Sequence, residues 1–282
     1  MTNGTNNGTN NGAVINHLNL FGMGTTVKFQ VCKSESKSLE CGTTVYRVYA
    51  TKDFTLNNGV SIKKGTRGGW VESESNLDQN DACWVGGDAR VYGNARVCDN
   101  AIVCGESQVY GNAIVCGNAE VDAKTIVCEG ATVRDNAWVS DMGVVLGNAT
   151  VGGNAMVYDS ASVYGDCSVK GNATICGDAT VYGRARVSGL ALICGSAIVL
   201  GEVVVRGHTT ISGDALVSGY SAIWGNVKVG GNAIVDGYAR LFGDKVLSGD
   251  DVEVWRSPNW PEQYGWMLKK TMAERERIMA GK

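Results

Sequence analysis

A six-residue repeat runs through most of this chain and constrains its fold more than any other feature. From Val85 to Leu247 every sixth residue is Val, Ile or Leu, which gives 28 consecutive positions without a break. The residue two places earlier is usually small, and it is Ala in 18 of the 28 cases. Four places before the aliphatic residue there is usually Gly, often followed by Asn or Asp. A fixed period of this kind is typical of architectures in which each repeat stacks on its neighbours.

Neither a helix nor a flat strand explains a period of six. An α-helix has about 3.6 residues per turn, so a six-residue repeat would spread around its whole surface. A strand has a period of two, so it would place the small and the aliphatic residue on the same face. A period of two does not explain why the pattern repeats after six residues. Gly and Asn accept left-handed backbone angles, so each repeat is predicted to be a short strand followed by a corner. Repeated strands and corners form a coil, with Val in its interior and Ala near the corners.

Similar side chains recur at intervals of 18 residues, and this interval sets the size of the coil. The clearest examples are Tyr92 and Tyr110, Tyr164 and Tyr182, Cys98 and Cys116, and Cys176 and Cys194. Like residues favour stacking in adjacent coils, so we expect three repeats per coil and a triangular prism. At roughly 4.8 Å per coil, about nine coils would form a prism about 45 Å long.

The repeat resembles that of the hexapeptide-repeat proteins, which form left-handed parallel β-helices. The left-handed sense is implied by this resemblance alone, because general crossover rules favour the right-handed form. A closer likeness lies in the lead-in Gly65-Thr66-Arg67-Gly68-Gly69-Trp70-Val71-Glu72-Ser73-Glu74, followed by Asn76-Leu77 and Asp81-Ala82-Cys83-Trp84-Val85. This lead-in is similar to that of the YdcK-like proteins of bacteria and phages. The likeness to that family extends over about residues 45 to 250. The resemblance implies a fold, and it implies little about activity because the function of that family is poorly defined.

The chain divides into four predicted segments. Residues 1–12 are rich in Asn, Gly and Thr and are expected to form a flexible arm. Residues 13–80 contain alternating apolar residues and are predicted to form a small β cap over the first coil, since an open solenoid end exposes apolar core. Residues 81–250 form the β-helix, and residues 251–282 are predicted to contain a closing helix that begins near Pro261.

Composition excludes several classes of protein and predicts a compartment. The net charge is −3 and there is no run of Lys or Arg, so duplex nucleic acid is not an expected partner. No apolar stretch is long enough for a membrane span, and the first residues do not resemble a signal peptide. The ten cysteines include no CxxC pair or Cys/His cluster, so we expect no metal site. Free thiols in this number favour a reducing, cytoplasmic compartment.

The outward positions on either side of each aliphatic residue sort into three faces. One of them, here called the tyrosine face, is predominantly apolar along most of the prism. Its candidate interface residues are Tyr92, Tyr110, Ile126, Val144, Leu146, Tyr164, Tyr182, Ile198, Leu200, Leu216 and Ile234. An apolar strip of this length is expected to be covered by another molecule. We therefore predict self-association into a homotrimer or a homodimer.

Two other interpretations of the tyrosine face remain open at this point. Flat β surfaces carry Tyr and Val because these residues favour strands, so the strip could reflect propensity alone. A row of tyrosines could also stack on sugars or bases.

An acyltransferase is the enzyme class that the resemblance suggests. Hexapeptide-repeat acyltransferases use a histidine as general base, often beside a loop that projects from the prism, and they take acyl-CoA as the cofactor. This chain has two histidines, His17 near the N-terminus and His208 at a corner where Asn or Asp is usual. The repeats contain no insertion, and two histidines are too few for a carbonic-anhydrase-like metal site. His208 is thus the single candidate catalytic residue under this alternative.

The sequence therefore predicts a non-catalytic, self-associating scaffold or binding protein without a cofactor. We expect a phage or prophage origin and a location in the host cytoplasm or in a virion. A host protein, a virion protein or a small ligand is the expected further partner. The alternative is an acyltransferase that uses His208.

Overall fold

The computed structural model describes residues 27–255, which form a parallel β-solenoid of about ten coils. The predicted solenoid class is confirmed, and its left-handed sense stays a prediction. Among residues 27–255, no helix is long and apolar enough to cross a membrane. The predicted arm (1–12), His17 and the predicted C-terminal helix lie outside the described residues.

The N-terminal part forms an antiparallel extension of the solenoid. Its elements are β1 (Phe29–Ser38), β2 (Thr44–Ala50), β3 (Phe54–Thr55), β4 (Ser61–Ile62), β5 (Arg67–Val71) and a short 3-10 helix (Glu74–Asn76). Strand β2 pairs with both β1 and β5 in antiparallel fashion, and β3 pairs with β4 as a small hairpin. Because β5 then pairs in parallel with the next strand above it, the cap continues one sheet of the prism.

The coils that follow consist of very short strands at intervals of about six residues. In the first half these are β6 (Trp84–Val85), β7 (Arg90–Val91), β8 (Arg96–Val97), β9 (Ile102–Val103), β10 (Gln108–Val109), β11 (Ile114–Val115), β12 (Glu120–Val121), β13 (Ile126–Val127), β14 (Thr132–Val133), β15 (Trp138–Val139), β16 (Val144–Val145), β17 (Thr150–Val151), β18 (Met156–Val157), β19 (Ser162–Val163) and β20 (Ser168–Val169). In the second half they are β21 (Thr174–Ile175), β22 (Thr180–Gly183), β23 (Arg186–Val187), β24 (Leu192–Ile193), β25 (Ile198–Gly201), β26 (Val204–Val205), β27 (Thr210–Ile211), β28 (Leu216–Val217), β29 (Ala222–Gly225), β30 (Lys228–Val229), β31 (Ile234–Gly237), β32 (Arg240–Gly243), β33 (Val246–Leu247) and β34 (Val252–Trp255).

Every third strand belongs to the same sheet, so the prism has three sheets. Sheet I has 13 strands, from β1, β2 and β5 through β7 and β10 to β34. Sheet II has nine strands, from β8 to β32, and sheet III has ten, from β6 to β33. Neighbours within each sheet of the prism pair in parallel and in register, as in Val91↔Val109 and Val109↔Val127. The register equals 18 residues, which confirms three repeats per coil.

The interior of the prism is one continuous column of aliphatic side chains. The repeat positions from Val85 to Val235 are 0–1% exposed, and the small residues two places earlier are equally buried. Ala is required at most of these small positions because the chain turns there and the three sheets converge. Burial of a Val side chain contributes roughly 1.5–3 kcal/mol, so the repeated column is the main source of stability.

The corners explain the Gly-rich part of the repeat. Gly117 has a φ of 68°, and a Cβ atom there would lie 2.7 Å from the backbone nitrogen of Asp135 in the next coil. Six corners instead hold a non-glycine residue at positive φ, five of them Asp or Glu. Such a carboxylate accepts a hydrogen bond from the next coil, as Asp135 Oδ2 does from Gly153 N at 2.8 Å.

The solenoid begins one coil earlier than the six-residue repeat indicates. Val71 pairs with Val91, and Leu77 forms a parallel bridge with Val97, so both residues lie beneath the first regular coil. Leu77 and Val85 are eight residues apart instead of six, which hides this coil from a strict period. The structure therefore has about ten coils where about nine were predicted.

The glycines and the asparagine of the lead-in fit this first coil. A Cβ atom on Gly68 or Gly69 would approach the side chains of Trp84 or Val85 to 2.6 Å. The buried Asn76 side chain donates to the carbonyl oxygens of Gly93 and Ala95 at 2.9 and 2.8 Å. The lead-in thus supplies the close packing and the hydrogen bonds of an irregular first coil.

Candidate functional site

The tyrosine face lies on the outer side of sheet I. The parallel register places Tyr92 directly beneath Tyr110, with ring centroids 5.0 Å apart and an interplanar angle of 6°. Tyr164 and Tyr182 stack in the same way at 4.6 Å and 26°. The structure therefore stacks the predicted face residues in two columns along sheet I. One column holds the residues before each aliphatic position, and the other holds the residues after it.

Most residues of the tyrosine face are partly buried by their neighbours in adjacent coils. Ile198 and Leu216 are only 8% and 6% exposed, and the remaining predicted residues are of intermediate exposure. A hydrogen bond with the Cys128 thiol is the first cause that raises the pKa of the Tyr110 hydroxyl, followed by burial. The face is thus closely packed over these coils, and the charged residues Arg90 and Asp236 lie at outward positions near its two ends.

The stacked rings present their edges to the outside. In each tyrosine pair the ring faces lie against one another across adjacent coils. Sugars and bases stack on exposed ring faces, so this arrangement offers them little beyond the ends of each pair.

Two pairs of exposed, stacked aromatic residues lie elsewhere, toward the C-terminal end of the prism. Tyr220 and Tyr238 stack at 5.2 Å on a corner between sheets I and II, and Trp224 and Phe242 stack at 5.4 Å on sheet II. These four side chains, here called the aromatic patch, are 50%, 44%, 39% and 63% exposed in that order. The 18-residue spacing of each pair could have identified them, but the prediction considered one face only.

The candidate catalytic residue His208 lies on an exposed corner. Its backbone N–H donates to Gly225 O at 2.8 Å, as other corner residues do to the coil above. Within residues 27–255 the structure shows no hydrogen-bond partner for its imidazole and no carboxylate that would orient it. The residue thus occupies a structural position of the repeat and lacks the partners that a general base requires.

Asparagines fill the same corner in other coils and form a ladder. The amide of Asn136 accepts from Asn118 at 3.0 Å and donates to Asn154 at 3.0 Å. The ladder runs from Asn100 to Asn172, and it is interrupted by Leu190 and His208. It continues with a 2.8 Å bond between Asn226 and Asp244.

Two groups of side chains could each hold a metal ion. Cys98, Asp99 and Cys116 lie on sheet II and its corner, with their ligand atoms all within 4.8 Å of one another. Cys104, Glu120 and Asp122 form a second such group on sheet III. Burial raises the pKa of the Cys104 thiol to about 11, with further contributions from Asp122 and Glu120. The sequence pattern did not reveal either group, because each brings together side chains from two consecutive coils.

Two buried cations join the cap to the first coil. Lys28 is 2% exposed, and its ammonium donates to Cys83 O at 3.0 Å. The Arg47 guanidinium lies 3.7 Å from the centre of the Trp70 ring and forms an ion pair with Asp88 at 3.3 Å. Hydrogen bonds from Trp70 and then from Arg47 lower the pKa of the Asp88 carboxyl. These contacts join the cap to the first coil, although Arg47 Nε is buried without a hydrogen-bond partner.

A shallow groove lies beside the irregular first coil. It is lined by Glu74, Ser75, Leu77, Asp78, Gln79, Asn80, Asn94 and Arg96. The lining contains two carboxylates, Glu74 and Asp78, and one arginine, Arg96, and it contains no histidine or cysteine.

Comparison with known proteins supports the repeat fold. Residues 81–105 match a family described as the YdcK beta solenoid repeat. This match confirms the resemblance, and the matched segment spans β6 to β9 of the prism. A comparison with curated proteins finds no match.

Proposed function

We propose that the protein is a rigid, non-catalytic β-solenoid scaffold that self-associates through the tyrosine face. The observation that supports this most is the predominantly apolar outer side of sheet I from Tyr92 to Ile234, in which Gln108, Ser162, Thr180 and Ser218 are the polar exceptions. Water contact with such a strip is unfavourable, and a second copy of the chain carries a matching strip.

The size of the face is sufficient for a stable interface. About five residues at ~3.3 Å each give a width of about 16 Å, and the nine coils from β7 to β31 at ~4.8 Å give a length of about 43 Å. The product is about 690 Å², near the ~800 Å² per partner of an ordinary specific interface. One face per protomer can therefore support a side-by-side dimer, or one edge of a trimer.

The rigidity of the face favours binding. Each outward residue sits on backbone that is hydrogen-bonded to the coil above, as in Tyr92 N to Val109 O at 3.0 Å. The stacked tyrosines hold one another in fixed orientations. Little side-chain entropy is lost when two such surfaces meet. The entropic cost of association is therefore small.

The biological role that follows is an assembly part of phage or prophage origin, located in the host cytoplasm or in a virion. In that role the protein would present a host protein, a virion protein or a small ligand along the prism. Native mass spectrometry of protein purified from its own host tests this role. A retained additional mass supports capture of a partner, and its absence across independent preparations counts against it.

The self-association experiment compares the wild-type protein with three variants, two double and one single, by native mass spectrometry and light scattering. Tyr110→Asp with Tyr182→Asp places charges on the tyrosine face and is expected to dissociate the oligomer. Trp224→Asp with Phe242→Asp changes the aromatic patch, and Tyr158→Asp changes an outward position of sheet III as a matched control. Circular dichroism confirms that each variant is folded.

The outcomes separate the candidate surfaces. Loss of mass only in the tyrosine-face variant supports the proposal, and the wild-type mass distinguishes a dimer from a trimer. Dissociation only in the patch variant moves the interface to that surface and overturns the proposal, as does a monomeric wild-type protein.

The acyltransferase alternative has its own test. Acyl-CoA turnover by the wild-type protein that disappears in His208→Ala would overturn the non-catalytic proposal. We expect no turnover, since His208 has no orienting partner and the regular coils supply no projecting loop.

A further inference from the structure

Cys98 and Cys116 are placed side by side by the register of sheet II. They follow β8 and β11, which pair with Arg96 opposite Ile114 and Val97 opposite Val115. Both cysteines are free thiols of intermediate exposure, so solvent ions can reach them. The two sulfurs therefore project from equivalent positions in consecutive coils.

Asp99 adds a carboxylate to this pair. Its backbone adopts a φ of 56°, which turns the side chain toward the next coil. There Oδ2 accepts a hydrogen bond from Gly117 N at 2.8 Å, immediately after Cys116 in the chain. As a result two sulfurs and a carboxylate oxygen lie within 4.8 Å of one another.

The spacing suits a bridging ion better than a disulfide. Tetrahedral zinc with Zn–S distances of ~2.3 Å requires sulfurs about 3.8 Å apart. A disulfide requires a sulfur–sulfur distance of ~2.05 Å and Cβ atoms ~3.8 Å apart. Backbone bonds on both sides of Cys98, to Val115 O at 3.1 Å and from Asn100 to Gly117 O at 2.8 Å, hold the coils at the ordinary strand spacing.

The three side chains have the donor atoms of a thiophilic cation site. A cysteine coordinates a metal ion as its thiolate, so a bound divalent cation displaces the thiol protons. Arg96 and Arg134 lie near enough to favour the thiolates and to offset the net charge of a filled site.

We propose that Cys98, Cys116 and Asp99 bind one thiophilic divalent cation, of the class of Zn²⁺ or Cd²⁺, on the outside of sheet II. Binding joins the cation to two sulfurs and one carboxylate oxygen and leaves one position for water. The two thiol protons pass to the buffer, so each cation bound releases two protons. This site is independent of the tyrosine face and of self-association.

A second thiol pair supplies an internal control. Cys176 and Cys194 are also 18 residues apart and occupy equivalent outward positions on sheet III. The residues that follow them are Gly177 and Gly195. Asp159 Oδ2 accepts a hydrogen bond from Gly177 N at 2.8 Å, yet in the described part of the chain this carboxylate and the two thiols do not form a group of three ligand atoms within 4.8 Å of one another. The Cys176 thiol is hydrogen-bonded to the Tyr158 hydroxyl. Comparing the pairs therefore tests whether the close approach of the Asp99 carboxylate to both sulfurs is required.

The experiment titrates the reduced, full-length protein with Cd²⁺. Ultraviolet absorption from thiolate-to-metal charge transfer reports binding, and calorimetry in two buffers of different ionisation enthalpy counts the protons released. We expect one equivalent to bind at pH 7 with release of close to two protons. Cys98→Ser with Cys116→Ser should abolish this charge-transfer phase of the titration. Asp99→Gly should lower the affinity for Cd²⁺ at least tenfold. Glycine is compatible with the positive φ at this corner, so the fold is retained.

The matched variant, Cys176→Ser with Cys194→Ser, should leave this phase intact. The proposal is overturned if the wild-type protein shows no charge-transfer phase. It is also overturned if the phase survives in Cys98→Ser with Cys116→Ser, or is lost to the same extent in the matched variant. A phase that survives Asp99→Gly at full strength removes the carboxylate from the site and leaves no distinction between the two thiol pairs.

Discussion

Lys245 Nζ lies 3.0 Å from Glu253 Oε2 at the last described coil of the prism. Lys245 occupies the small position of the repeat and Glu253 the aliphatic position, and both positions hold uncharged residues in every earlier repeat from Val85 onward. The strand that contains Glu253 still pairs in parallel with β31. The backbone therefore continues one step beyond the apolar core, and an ion pair ends that core.

The first prediction concerns this ion pair. Lys245→Ala with Glu253→Val would extend the apolar column into the last described coil. We expect the variant to form species larger than the wild-type oligomer as its concentration rises, because added apolar surface at the end of a β-solenoid promotes association. Light scattering over a concentration series measures the effect. The free energy of unfolding should change by less than about 1 kcal/mol, since both side chains of the pair are partly exposed.

The charge-reversed variant, Lys245→Glu with Glu253→Lys, is the control. It keeps an ion pair at the same place and should behave as the wild-type protein does. Equal association of both variants would mean that the substitutions disturb the last coil and that the pair has no protective role.

The second prediction concerns the asparagine ladder. Leu190→Asn with His208→Asn fills the two interruptions and should connect Asn172 to Asn226 through three additional hydrogen bonds. Each exposed bond contributes little, so we expect the free energy of unfolding to rise by about 1 kcal/mol in total. Chemical denaturation followed by circular dichroism measures this change.

Asn136→Ala provides the opposite test in the same ladder. It removes bonds to Asn118 and Asn154, both 3.0 Å long, and should lower the free energy of unfolding by a similar amount. If neither variant changes stability in its expected direction, the ladder is a consequence of the register and not a source of stability.

The repetitive part of the fold could be predicted because it is determined by aliphatic residues at a spacing of six. Each aliphatic position from Val85 to Leu247 lies inside, since a corner after every short strand returns the same position to the interior. The first coil escaped prediction because its spacing from Leu77 to Val85 differs by two residues. A strict period detects regular coils only.

The sites were harder to predict because they depend on contacts between coils. The spacing of Cys98 and Cys116 was visible, yet the approach of Asp99 depends on a left-handed corner that the sequence pattern normally assigns to glycine. The contact between Arg47 and Trp70 joins the cap to the prism and follows no period. Such contacts require the three-dimensional register of the chain.

The third prediction compares two left-handed corners. Ala123 has a φ of 55° and no side-chain acceptor, so its backbone strain is uncompensated. A left-handed residue other than glycine costs roughly 1–2 kcal/mol, and glycine loses some of this gain through its freedom in the unfolded chain. Ala123→Gly should therefore raise the free energy of unfolding by about 0.5–1 kcal/mol. Thermal and chemical denaturation measure the difference.

Asp135→Gly is the matched variant at a corner with a φ of 62°. It relieves the same strain but removes the hydrogen bond to Gly153 N at 2.8 Å. We expect its stability to equal or fall below that of the wild-type protein. A stabilisation as large as that of Ala123→Gly would show that the carboxylate bond between coils contributes nothing.

The fourth prediction concerns Glu120 and pH. Burial and then the neighbouring Asp122 raise the pKa of the Glu120 carboxyl above its ordinary value of 4.5. A carboxyl whose pKa is raised by folding loses stability as pH rises from its unfolded value through its folded value. Glu120→Gln removes this loss, so it should stabilise the protein at pH 7 by less than about 1 kcal/mol, given the partial exposure of the group.

The pH dependence distinguishes this electrostatic cause from better packing of glutamine. Below the unfolded pKa, Glu120 is protonated in both states, so the advantage of Glu120→Gln should disappear near pH 4. Carboxyls with lowered pKa, such as Glu35 beside Tyr49 and Arg67, lose their contribution in acid equally in both proteins and cancel in the comparison. Denaturation curves at pH 7 and pH 4 therefore suffice. An advantage of the same size at both values would assign the effect to packing, and a destabilised variant at pH 7 would contradict the raised pKa.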